Sequence, residues 1–103
     1  MKLFARKKDV EAIAKLEEEV KSLEEGINYY YGEADKMRAK VSDIIADLEF
    51  LPEFSEEWTQ KCQELQVYRH YVEMYDESGD QLHERADQLR DELSKLNKWY
   101  IGA

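Results

Sequence analysis

His70 and Glu73 stand three residues apart in this chain, and so do Asp80 and His83. Side chains at that spacing share one face of a helix, and such pairs hold metal ions in helical bundles when further carboxylates point into the same core. Cys62, the one cysteine, would be a nucleophile if a base stood beside it to draw off its proton. Each of these chemistries depends on where an element places the residue. The apolar pattern described below puts His70 at an outward f position and His83 at an e position, both on a wetted surface, and Cys62 at an e position near a turn, as a small apolar filler. The chain also has no glycine-rich phosphate loop, no zinc-ligand spacing and no nucleophile elbow. The sequence therefore points to no catalytic residue, no metal and no cofactor, and the expectation is a protein that is not an enzyme.

The elements come from apolar periodicity. From Ile13 the apolar residues advance by alternating steps of three and four: Ile13, Leu16, Val20, Leu23, Ile27, Tyr30, Ala34, Met37, Val41, Ile44, Leu48 and Leu51. These are the a and d positions of a heptad repeat, with β-branched or small residues dominating a and Leu, Ile or Met dominating d, as a coiled-coil seam requires. A second series has Trp58, Leu65, Val72, Gly79, Ala86, Leu93 and Tyr100 at a, and Lys61, Tyr68, Tyr75, Leu82, Leu89 and Leu96 at d. Two helices are expected, over about residues 9–51 and 56–100. Between them, at 52–55, Pro52 cannot continue a helix interior, while Ser55 followed by Glu56 and Glu57 makes an N-cap with acids in the first turn.

Folding the second helix back on the first, so that residue numbers across the seam add to 109, brings a opposite d at every layer. Leu16 then meets Leu93, Val20 meets Leu89, Leu23 meets Ala86, Ile27 meets Leu82, Tyr30 meets Gly79 and Ala34 meets Tyr75. Large side chains face small ones, which lets a narrow seam hold aromatic rings. The predicted fold class is an all-α antiparallel coiled-coil helical hairpin, preceded by a basic tip at residues 1–8. Flanking charges agree with that register: Glu17 faces Arg90, Glu24 faces His83, Glu19 faces Arg85 and Lys40 faces Glu64, with Arg38 opposite Arg69 the one mismatch. Gly79 has a packing reason to interrupt a helix, although Ser78-Gly79-Asp80 would equally suit a kink or a break.

What the seam leaves outside bears on function. Tyr29, Tyr31, Phe50, Phe54, Val67, Tyr71, Met74 and Trp99 occupy neither a nor d. Val67, Tyr71 and Met74 follow at i, i+4 and i+7, forming a second apolar stripe, and a two-helix hairpin has only one seam to bury. The predicted interaction surface is Val67, Tyr71, Met74, Tyr29 and Tyr31. The partner is another helical protein or a second copy, two hairpins then completing a four-helix bundle.

Charge narrows the partners. The net charge is −9, all 24 acids follow residue 8, and four of the 15 basic residues precede residue 9. An acidic body repels phosphate, so no direct nucleic-acid binding is expected. No segment approaches the roughly 20 apolar residues of a membrane span, no signal-peptide core is visible, and a lone cysteine requires no oxidising compartment, so no membrane association and a cytoplasmic location are expected. An alternative of another class is a small phage-type inhibitor, an acidic mimic occupying a basic or nucleic-acid-binding cleft. Bases such as Lys36, Arg38, Lys40, Arg85 and Arg90 interrupt the regular row of acids that mimicry needs.

In size, hairpin plan and a tryptophan near the central turn, Trp58, the chain resembles the small WXG-type proteins exported by type VII secretion systems. Gln60 stands where that family has a glycine, and the Tyr-x-x-x-Asp/Glu spacing of its export signal falls at Tyr29/Glu33 and Tyr31/Asp35, in the first helix. What the resemblance implies is a small helical partner of a secreted helical protein.

Overall fold

The computed structural model describes residues 7–101, with side chains from 9 to 97. Within that range the chain forms two α-helices, α1 over Lys7–Leu48 and α2 over Glu56–Ile101. They pack as an antiparallel helical hairpin. The side chains of the basic tip at residues 1–8, and those of Trp99 and Tyr100, lie outside the described residues. Neither helix is long and apolar enough to cross a membrane.

The turn shows how sequence ends one helix and starts the next. α1 stops at Leu48, three residues short of the expected 51, because the Pro52 ring collides with the carbonyl four residues back, at Leu48, and pushes Leu51 out of helical angles. The last turn tightens instead, with the Phe50 N–H donating to the Asp47 carbonyl at 3.1 Å and that of Leu51 to the Leu48 carbonyl at 3.4 Å. Ser55 then caps α2: the Trp58 N–H donates to Ser55 Oγ at 3.2 Å, while Glu56 and Glu57 supply the acids that a helix N-terminus favours. Phe54, just before the cap, has φ of 65°, the left-handed region where a side chain costs about 1–3 kcal/mol.

The chain packs as two compact units, Asn28–Gly79 and the residues up to Ile27 together with those from Asp80 onward. In the second of these the seam is aliphatic. Val20, Ile27, Ala86 and Leu89 are buried, Leu89 almost completely. Gly26 lies against Leu82, so a β-carbon at position 26 would stand 2.8 Å from Leu82 Cδ1. This glycine thus has a packing role, shared with Gly79, that its position beside the seam does not advertise. Burying such side chains stabilises by about 1.5–3 kcal/mol each, far more than the charged pairs around them.

In the unit Asn28–Gly79 the buried residues are Ala34, Ile44, Leu65 and Gly79, and aromatic rings fill the space around them. Small seam residues make room for large neighbours, as expected, but one partner differs. The ring over Gly79 belongs to Tyr31, whose Cε1 would lie 2.5 Å from an added β-carbon, and Tyr30 instead sets its ring 6.3 Å from that of Tyr75. Helical side chains lean toward the N-terminus of their helix, so a residue at e can cover an empty a position from the flank. α2 runs through Ser78-Gly79-Asp80 without a break.

Charged pairs brace both units. Arg85 lies 3.9 Å from Glu19, as the register requires. Arg90 takes Glu24 and Asp87 rather than Glu17, His83 meets Asp87 at 3.1 Å rather than Glu24, and Glu64 stands 3.7 Å from Lys61 rather than meeting Lys40. The mismatch expected between Arg38 and Arg69 is relieved because Arg38 binds Asp35 and Asp76. Long side chains choose a partner up to a turn away, so the register survives while individual pairs shift.

Candidate protein-interaction site

Three of the five predicted surface residues form one exposed row on α2. Val67, Tyr71 and Met74 are 50%, 40% and 46% exposed, and all three belong to the unit Asn28–Gly79. Val67 and Met74 take c positions with Tyr71 at the g between them, so the row runs along the flank beside the seam rather than around the back of the helix. Tyr68 on the seam sets its ring edge-on to Tyr71 at 6.4 Å, and the His70 ring lies 6.4 Å from Tyr71 on the other side. Tyr71 thus neighbours a seam ring and a surface ring.

The two α1 tyrosines divide. Tyr29, 59% exposed, takes a c position and so belongs to the flank that carries Tyr71, since g faces g across an antiparallel pair. Its ring meets Tyr30 edge-on at 5.4 Å. Tyr31 takes the e position on the opposite flank, half-buried with its ring over Gly79. Register thus gathers Val67, Tyr71, Met74 and Tyr29 on one flank and assigns Tyr31 to the packing of the seam. Spacing alone missed this because Gly79, lacking a side chain, leaves room that the e residue fills.

Near Tyr29 the flank is polar. Lys36 donates to Glu33 Oε1 at 3.0 Å, and that hydrogen bond, with the carboxylate's charge, raises the Lys36 ammonium above its ordinary range. Arg90, in the other unit, is likewise raised by its hydrogen bond to Glu24. Both are exposed surface pairs that hold side-chain geometry more than they stabilise.

Two further exposed apolar residues, Phe50 and Phe54, stand at the turn. The sequence marks them only as off-seam aromatics on either side of Pro52. Among the described residues no three His, Cys, Asp or Glu side chains are grouped so as to hold a metal ion, and Cys62 is a half-buried free thiol. No protein-family model, curated protein or solved structure matches the chain.

Proposed function

We propose that this protein is a non-enzymatic helical interaction module, an adaptor hairpin whose working face is the flank carrying Val67, Tyr71 and Met74. The single observation that carries the reading is that row: three medium-to-large apolar side chains exposed in sequence on one flank, with the seam already filled beside them. A helix laid along that flank, from another protein or from a second copy, would bury the row in the way a third helix enters a bundle. An acidic inhibitor has less support, because Glu19, Glu24, Glu33, Asp35, Asp76 and Asp87 are each matched by a nearby Arg, Lys or His rather than presented as an uninterrupted acidic row.

The test is Tyr71→Glu. A charge in a desolvated contact costs far more than one on a wet flank. The substitution should leave helicity by circular dichroism unchanged and weaken self-association by light scattering, or capture of a partner from the native host, by roughly tenfold or more. A wild-type chain that stays monomeric, together with a Tyr71→Glu chain that holds every captured partner with unchanged affinity, contradicts the assignment.

A further inference from the structure

The turn presents a second apolar surface of different character. Phe50 and Phe54 are 86% and 81% exposed, more than any other large hydrophobic among the described residues. They flank Pro52 in a short connection held by the Asp47 and Leu48 carbonyls on one side and by the Ser55 cap on the other. Phe54 keeps a left-handed backbone that glycine would adopt without strain, and its ring lies 5.2 Å from that of Trp58. A turn needing only that conformation would do better with glycine. The phenyl group is present despite the conformation, set beside the Trp58 ring and otherwise exposed.

Charge says what would cover it. From Val41 to Gln60 there is no Lys, Arg or His, while Asp43, Asp47, Glu49, Glu53, Glu56 and Glu57 supply six acids. An open groove of about 340 Å³ beside the turn is lined by Phe50, Leu51, Asp47, Glu57 and Lys61. Its lining sets the apolar Phe50 and Leu51 beside the carboxylates of Asp47 and Glu57 and beside Lys61, which lies 3.5 Å from Asp47. An anionic membrane surface would be repelled by the acids of this segment. A lysine or arginine can lay its methylene stem along Phe50 and Leu51 while its head group meets the carboxylates, and neighbouring apolar side chains can cover the two rings.

We infer that the Phe50/Phe54 turn is a docking point for a cationic amphipathic segment of a partner protein, with the exposed rings of Phe50, in the groove, and Phe54, beside Trp58, as apolar contacts and the acids of residues 41–60 as the charged ones. This surface is separate from the α2 flank, and either can fail without the other.

The probe is a dye-labelled amphipathic peptide of Lys and Leu, followed by fluorescence anisotropy against the full chain, with a Glu/Leu peptide of the same pattern as comparison. Phe54→Gly is the decisive variant, because it keeps every charge, suits the backbone and removes one ring. The Lys/Leu peptide should bind the wild-type chain saturably and more weakly as salt rises, and Phe54→Gly and Phe50→Ser should each weaken it by about tenfold. Tyr71→Glu should leave this binding unchanged. Equal binding to wild type and Phe54→Gly would overturn the inference as mere charge attraction. So would absence of Lys/Leu binding, preference for the Glu/Leu peptide, Phe54-dependent sedimentation with phosphatidylcholine vesicles, or Phe54-dependent self-association without peptide.

Discussion

The two packing units of this hairpin are built from the same heptad grammar and end with different surfaces. In the one formed by residues up to Ile27 and from Asp80 onward, the seam is Val, Ile, Leu and Ala, and the one large hydrophobic exposed among its described side chains is Val10. In the unit Asn28–Gly79 the seam admits tyrosines, and Tyr29, Ile45, Phe50, Phe54, Val67, Tyr71 and Met74 are all exposed. Aliphatic layers satisfy themselves across a narrow seam. In the aromatic unit Tyr30, Tyr68 and Tyr75 are half-buried on the seam, and the exposed apolar residues occupy off-seam positions on the flanks and at the turn. If the proposed interaction face is right, the aliphatic unit is the scaffold and the aromatic one the place of contact.

Substitutions can break that contrast. The largest effect should come from Leu89→Ala in the aliphatic unit, which removes an almost fully buried side chain and should cost about 2–5 kcal/mol in denaturant unfolding. Tyr71→Ala, on the exposed flank of the aromatic unit, should stay within about 1 kcal/mol. If the two cost the same, the division between scaffold and contact surface is wrong.

Gly79→Leu should come next. A β-carbon there already meets the Tyr31 ring at 2.5 Å, so overpacking should cost about 1–3 kcal/mol despite the better helix propensity of leucine. Unchanged stability would mean that the Tyr31 ring moves aside freely. The smallest effect, and one of opposite sign, belongs to Gly32→Ala. Nothing lies within 4 Å of a β-carbon at that position, so the substitution should stabilise the helix by roughly 0.5–1 kcal/mol. A loss of stability there would reveal a constraint on the backbone that packing does not explain.

These glycines also show how much of the packing is legible in the sequence. Spacing located the seam because heptad position is a property of the backbone, and the residues it assigned to a and d, such as Ile27, Ala34, Ile44, Leu65 and Leu89, are the buried ones. It also located the cap, since Ser55 and the following acids act locally. Spacing did not reveal which way a ring leans: Tyr30 occupies the d position, yet Tyr31 covers Gly79. Nor did it reveal that Gly26 sits under Leu82, because the layer pairing assigned Leu82 to Ile27 alone. The α2 stripe was visible as a leftover apolar period. The exposure of Phe50 and Phe54 was not, because apolar residues beside a turn could as easily have folded back onto the first layer of the seam.

The claim that the α2 flank of Asn28–Gly79 is a contact face is tested most directly by hydroxyl-radical footprinting of Met74 and Tyr71, both accessible in the isolated chain. Oxidation is read at increasing protein concentration and again with a captured partner bound. Met74 and Tyr71 should lose reactivity as the complex forms, while Val10, exposed in the other unit, should keep it. Met74 and Tyr71 oxidising as fast in the complex as in the free chain would contradict the claim.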